Sequence, residues 1–270
     1  MKRCFILISF ILVAWSLPAF AETLMMATTT STDNTGLLDE LAPKFQKETG
    51  IELKWTATGT GKALELGKSC DVDVLLVHAP AAENTYIEEG YGTSRVEVMY
   101  NDFVIIGPVA DPAGIKGKPM SEAFQEIKSS RTVFVSRGDD SGTHKKEKSL
   151  WNDAGMDVPD RQNWFLQSGQ GMMPTIFMAE ERGGYTMTDR GTYIKYEDTK
   201  GGNPPLKILL EGEQALLNQY SVIPVDPQNC PNVQNELAQK FSSWMASPST
   251  QQLIADFKLM NKQLFYPNAK

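Results

Sequence analysis

Three stretches of this chain gather hydroxyls and glycines where a strand pattern gives way to a helix pattern. The first is Thr28-Thr29-Thr30-Ser31-Thr32. A helix start presents unpaired backbone N–H groups and the positive end of the helix dipole, and hydroxyls beside it add donors. That suits non-covalent capture of a compact oxyanion. Plain N-capping is the alternative, but it needs one or two such residues rather than five. The second stretch, Thr56-Ala57-Thr58-Gly59-Thr60-Gly61, combines donors with glycines that let the backbone approach a ligand; a simple turn explains it as well. The third, Ser136-Arg137-Gly138-Asp139-Asp140-Ser141-Gly142-Thr143-His144, adds the planar, permanently charged fork of Arg137. There Ser141, Gly142 and Thr143 offer hydroxyl and amide donors, and Asp139 and Asp140 can cap the helix or orient Arg137. A surface arginine beside a capping aspartate is the alternative. Thr188, at a further strand end, joins the candidates on position alone, as Thr58 does. Two other loops, Gln167-Ser168-Gly169-Gln170-Gly171 and Thr186-Met187-Thr188-Asp189-Arg190, stand where they could close such a site.

Other chemistries have less material. Ser, His and Asp all occur within 139–144, yet a catalytic triad is assembled in space, no G-x-S-x-G elbow is present, and the chain has 2 histidines. An exported serine hydrolase is therefore the weaker class. Thr58-Gly59-Thr60-Gly61 lacks the GxGxxG spacing, and no GxxxxGK[ST] loop exists. Neither Cys70 nor Cys230 sits in a CxxC or near a histidine at metal spacing. No catalytic role, cofactor or bound metal is expected.

The elements that would carry these loops alternate. Thr23–Ala27 reads as a strand. Leu37, Leu38, Leu41, Ala42 and Phe45 then recur at helical spacing, with Gly50 as terminator. A strand over 51–56, a short helix over 62–67, a nearly continuous apolar strand over 72–77 and a helix from Pro80 to Glu89 complete a β-α-β-α-β-α series, the pattern of a parallel sheet covered by helices. Val98–Pro108 is β-prone with no helix before it. A second series follows: helix 121–129, strand 132–135, helix 141–154, helix 174–182, strand 185–188 and strand 206–210. Tyr220–Pro227 is another isolated β segment, and helices over 233–246 and 249–260 finish the chain. The two β connectors bracket one α/β unit. This predicts a discontinuous first lobe (22–100 plus 225–270), a continuous second lobe (101–224), and a two-strand hinge between them. Ligands in such proteins bind outside the carboxyl ends of the strands, where the donor-rich loops lie.

The chain has 270 residues, 41% hydrophobic and 22% charged, which suits a globular protein and excludes a disordered or polytopic membrane chain. The formal net charge is −7. A broad nucleic-acid surface would be basic, so no nucleic-acid partner is expected and any anion must be held locally. Lys2 and Arg3, the apolar run Phe5–Trp15, and Ala19-Phe20-Ala21 read as a signal peptide over 1–21, cut after Ala21. The apolar run is short for an uncleaved anchor, and Cys4 is misplaced for a lipoprotein. Cleavage makes the mature chain two units more negative, exported and not membrane-embedded. Export permits a Cys70–Cys230 disulfide, with two free thiols as the alternative.

The Thr28-Thr29-Thr30-Ser31 run is similar to the TTTS motif of periplasmic tungstate-binding proteins, the solute receptors of tungstate ABC importers. Asp71–Pro80, the Ser136–His144 loop, Tyr185–Arg190 and Tyr220–Pro227 resemble the same family. The resemblance spans the mature chain. It implies a class II periplasmic-binding-protein fold, two α/β lobes closing on one anion. It also implies contacts from Thr28, Thr29, Thr30, Ser31 and Arg137, with Ser141 and Thr143 beside them. The implied ligand is tungstate, with molybdate as a further candidate, and the implied partners are an ABC permease and its ATPase. A monomer in the periplasm is expected. Tungstate is an unprotonated dianion near pH 7 and wants donors only, whereas a phosphate receptor benefits from a carboxylate that accepts the phosphate proton. Asp139 and Asp140 keep a phosphate receptor open; a sulfate-type receptor is the other alternative, and Arg137 argues against a purely neutral site of that type.

Overall fold

The computed structural model describes residues 22–270; the expected signal peptide lies outside them. The first run of elements is β1 (Thr23–Thr29), α1 (Thr30–Asp33), α2 (Leu37–Thr49), β2 (Glu52–Thr58), α3 (Thr60–Lys68), β3 (Val74–Val77) and α4 (Pro80–Glu88). Then come β4 (Val96–Pro108), α5 (Met120–Ser130), β5 (Phe134–Ser136), α6 (Gly142–Asp153), β6 (Phe165–Gln167), α7 (Met172–Arg182), β7 (Thr186–Asp189), α8 (Arg190–Thr199) and β8 (Leu206–Leu210). The chain closes with β9 (Leu217–Pro224), α9 (Asn235–Ala246), α10 (Pro248–Asp256), β10 (Lys258–Leu259), β11 (Lys262–Gln263) and β12 (Tyr266–Pro267).

Local chemistry accounts for the boundaries. In α2 the apolar face Leu37, Leu38, Leu41 and Phe45 is buried, and Gly50 ends the helix at φ 77°, its N–H donating to Gln46 O. Pro80 occupies the first turn of α4, where a missing N–H costs nothing. β3 is buried on both faces, as a strand between two neighbours and two helical layers must be.

The first sheet runs β12-β4-β9-β3-β1-β2. β1 is parallel to β2 and β3, but β9 is antiparallel to both β3 and β4. The sheet is thus mixed rather than parallel throughout. β4 serves twice: Val96–Asp102 pair with β9, whereas Phe103–Ile106 pair with β7 and Ile105–Pro108 with β8. β5 and β6 pair in parallel and reach β7 through the bridge Phe134–Tyr185.

Each pleated region is buried on both sides. Leu24, Met26, Val74 and Leu76 pack with Phe45, Phe241, Trp244 and Phe265, while the alternate residues Ala27, Leu75 and Val77 pack with Leu64, Tyr86 and Ile223. Along β4, Phe103 and Ile105 face Phe124, Phe134 and Trp151, whereas Val104 and Ile106 face Ile176 and Tyr196. Two packed units therefore share one continuous strand. Cys70, after α3, and Cys230, before α9, form a disulfide across a sequence separation of 160. No helix among the described residues is long and apolar enough to cross a membrane.

Several elements depart from the sequence expectation. α1, β6 and α8 are additional. α10 stops at Asp256, because Phe257 is extended and the left-handed Met260 and Asn261 (φ 50° and 63°) turn β10 back into β11. β9 lies wholly in the first sheet, paired with β3, although its residues fall within the expected span of the second lobe.

Candidate functional site

A cavity of about 470 Å³ lies where the two packed units meet. The first unit lines it with Thr29, Thr30, Ser31 and Asn34 after β1, Thr58, Gly59 and Thr60 after β2, and His78 after β3. The second unit contributes Arg137 with Ser141, Gly142 and Thr143 after β5, the start of α7 at Gly171–Pro174, and Asp189, Thr192 and Lys195 around the β7–α8 junction.

Five helices begin at this cavity, and two of them, α1 and α8, are capped by the side chains of Thr29 and Asp189. α6 is capped by its own side chain: Ser141 Oγ accepts from the His144 N–H at 3.3 Å. α3 and α7 are not. Their N-cap residues are Gly59 and Gly171, and neither helix has a side-chain cap. Their first-turn N–H groups therefore have no side-chain acceptor, and their dipoles make this end of each helix positive.

Thr29 caps α1 and holds a cluster of hydroxyls. Its Oγ1 accepts from the Thr32 N–H at 3.2 Å and lies 2.6 Å from Thr32 Oγ1, 3.1 Å from Ser31 Oγ and 3.0 Å from His78 Nε2. Burial lowers the His78 pKa, opposed in part by its hydrogen bond to Asn218 and the charge of Asp189.

Arg137 is fixed from two sides. Nε donates to Gln170 O at 2.9 Å, and Nη2 donates to Asp139 Oδ2. Gly138 follows at φ 62°, where an added Cβ would meet Gln167 at 2.8 Å, so the loop needs glycine to bring Arg137 onto the Gln167–Gly171 segment. Burial pushes the Asp139 carboxyl up, but hydrogen bonds from Ser141 and Arg137 outweigh it and hold the pKa below the ordinary value. Beneath this loop Glu147 is fully buried. Its Oε1 has no hydrogen-bond partner, and burial raises its pKa to about 7.

Lys195 reaches from one wall of the cavity to the other. It projects from α8 and donates through Nζ to the backbone oxygen of Asn34, the residue that ends α1. Arg190, at the start of α8, turns away and pairs with Asp102 and Glu211.

Of the expected contact residues, Thr29, Thr30, Ser31, Thr58, Arg137, Ser141, Gly142 and Thr143 line the cavity. Thr28 and Thr188 do not. Thr28 is buried and donates to Leu76 O at 2.8 Å, and Thr188 is buried and donates to Asp189 O at 3.1 Å. Each is one residue before a lining residue, and strand side chains alternate faces. Asp139 and Asp140 are not among the lining residues either. His78, Asn34 and Lys195 line the cavity without having been expected there. His78 carried a signal, since it ends an apolar strand as the hydroxyl loops do. Lys195 carried none, because α8 itself was not foreseen.

The serine, histidine and aspartate of 139–144 make no relay. The Ser141 hydroxyl caps the His144 backbone, and His144 Nδ1 accepts from the Asp140 N–H at 3.0 Å, so no base faces the serine oxygen.

The chain is similar to known proteins over most of its length. Residues 19–249 match the model of the PBP superfamily domain. The tungstate-binding protein TupA of Campylobacter jejuni is 52% identical over 240 residues, 89% of either chain. The structure of the tungstate-binding protein TupA of Desulfovibrio alaskensis shares 64% identity, covers 93% of this chain and all of that one, and superposes with a TM-score of 0.89. The structure described as the tungstate ABC transporter of Geobacter sulfurreducens shares 45% identity over 87% of this chain and 99% of its own, with a TM-score of 0.76.

Proposed function

The chain belongs to the TupA-type tungstate-binding proteins of the PBP superfamily, and from that premise we propose that it is an exported receptor that captures tungstate and delivers it to an ABC importer. The observation that carries this reading is the convergence, on one cavity, of two helix starts without side-chain caps, a cluster of hydroxyls and a buttressed arginine. Neutral donors and two cations, Arg137 and Lys195, can hold a dianion inside a chain whose net charge is −7.

Capture proceeds by closure of two lobes, 22–100 plus 217–270 and 101–216, about β4 and β9. The pairing of β9 with β3 supports assigning 217–224 to the first lobe. The anion meets the Thr29–Ser31 and Thr58–Thr60 loops on one side and Arg137 with Ser141–Thr143 on the other. Added contacts in the closed form stabilise it. Tungstate is the ligand rather than a cofactor. Molybdate, of the same charge and shape, is a second ligand, and an ABC permease with its ATPase is the partner. The chain works as a periplasmic monomer without catalytic activity, nucleic acid or membrane insertion.

Tungstate should raise the melting temperature by mass action. No shift at millimolar tungstate overturns the reading. Calorimetric titration with tungstate, molybdate, sulfate and phosphate in turn ranks the ligands.

A further inference from the structure

His78 stands behind the hydroxyl cluster rather than among the donors. Its ring lies over Tyr220, with centroids 4.6 Å apart and planes inclined by 24°. Nδ1 is 2.9 Å from Asn218 Oδ1. Asn218 spends its amide group as donor to Asn101 Oδ1 at 2.7 Å and to the Tyr220 hydroxyl at 3.2 Å. Its Oδ1 is therefore an acceptor, and His78 Nδ1 carries a proton. In the neutral ring Nε2 is then a bare acceptor. It sits 3.0 Å from Thr29 Oγ1 and 3.2 Å from Ser31 Oγ. A hydroxyl proton given to Nε2 is withheld from any anion in the cavity, so the neutral ring works against part of the site's own task.

We propose that His78 takes a proton from solvent when a tetrahedral dianion enters, and that the resulting imidazolium turns the Thr29 and Ser31 hydroxyls toward the ligand. The inference rests on the oxyanion reading above. One N–H bond forms at Nε2, the proton comes from water or a buffer acid, and no bond of the anion breaks. Each hydroxyl oxygen can then accept from Nε2–H while its own proton faces the cavity.

The surroundings leave the decision to the ligand. Asn101 of β4 and Asn218 of β9 carry no charge, and burial pushes the Tyr220 phenol up, so it stays neutral. Asp189 at the end of β7 favours the imidazolium. Arg137 and Lys195, across the same cavity, oppose it. Burial keeps the ring neutral before the anion arrives, and two added negative charges act in the other direction.

The test is calorimetric titration of the whole mature chain with tungstate at pH 7, in buffers of different ionisation enthalpy. Up to one proton should be taken up per tungstate, and affinity should weaken as pH rises from 6 to 8. His78→Gln should bind more weakly, with no uptake and no pH slope. Glu147→Gln should still take up the proton. Binding heats that are equal in every buffer overturn the proton step while leaving tungstate capture standing. Uptake that survives in His78→Gln and vanishes in Glu147→Gln overturns it in favour of Glu147. No binding in any buffer defeats the capture reading itself. If His78→Gln does not fold, the ¹⁵N imidazole signals of the natural chain decide. Tungstate should move the His78 Nε2 signal into the protonated range, and an unmoved signal overturns the proposal.

Discussion

Arg190 grips Asp102 with two hydrogen bonds of 2.6 Å, Nε to Oδ1 and Nη2 to Oδ2. Asp102 is the last residue of β4 paired with β9, and Phe103 the first paired with β7. The ion pair thus sits on the step where one strand passes from one sheet to the next. Both side chains are largely covered, at 21% and 12% exposure. Breaking a buried pair leaves one charge without its partner, which costs about 3–5 kcal/mol when fully buried and less here. Arg190→Gln should lower stability by about 2 kcal/mol in urea denaturation. A change within experimental error would mean that water satisfies Asp102.

Arg137 is a charge-assisted donor with a fixed orientation. Arg137→Ala should weaken tungstate binding by more than ~1 kcal/mol. Arg137→Lys should recover only part of this, because the fork that reaches both Asp139 and Gln170 O is lost. Unchanged calorimetric affinity in Arg137→Ala would remove the residue from the site.

The glycine N-caps give a prediction of opposite signs. An added Cβ at Gly59 meets nothing within 4 Å, and its φ of −78° suits any residue. Gly59→Asp should cap α3 and stabilise the fold by about 0.3 kcal/mol. It should also occupy first-turn N–H groups and repel the anion, weakening tungstate binding by at least about tenfold. Melting and titration of one variant read both effects, and equal or tighter binding would mean that the α3 start does not face the ligand.

Glu147 sets a pH dependence. Burial raises its folded-state pKa from 4.5 to about 7. The folded chain then binds more protons than the unfolded chain between those values, so stability falls as pH rises through this window. Each pH unit crossed inside the window costs about 1.4 kcal/mol, and the loss levels off above the folded pKa. Glu147→Gln should flatten this part of the profile in denaturation curves at pH 5, 6, 7 and 8. An identical slope in the variant would assign it to another group.

The Cys70–Cys230 bridge should matter for stability and not for binding, since neither residue lines the cavity. Changing both to Ser should cost about 2–5 kcal/mol. Tungstate affinity measured well below the new melting temperature should be unchanged, and a large loss would tie the bridge to the cleft.

Much of this was legible in the chain. Helices such as α2 announce themselves through apolar spacing and a closing glycine, and the strand-end loops through hydroxyls packed more densely than capping requires. Face selection was harder to read. Thr28 and Thr29 look alike in sequence, and only strand alternation sends one into the sheet and the other to the cavity. Strand direction was also hidden, because β9 reads as an isolated apolar segment and its antiparallel place beside β3 is a long-range choice. α8 opens with Arg190-Gly191 and is held by tertiary contacts: Ile194 packs with the first unit and Tyr196 with the second. Its lysine could not be placed before the helix was.

The disulfide has a topological consequence for how the chain meets a protease. All of β4 to β9, and with them the whole second unit, lie inside the covalent ring closed by Cys70 and Cys230. A single cut anywhere in that span opens the ring without releasing a fragment. The nicked chain keeps one mass until a reductant separates its pieces, and its two ends stay docked in the same core.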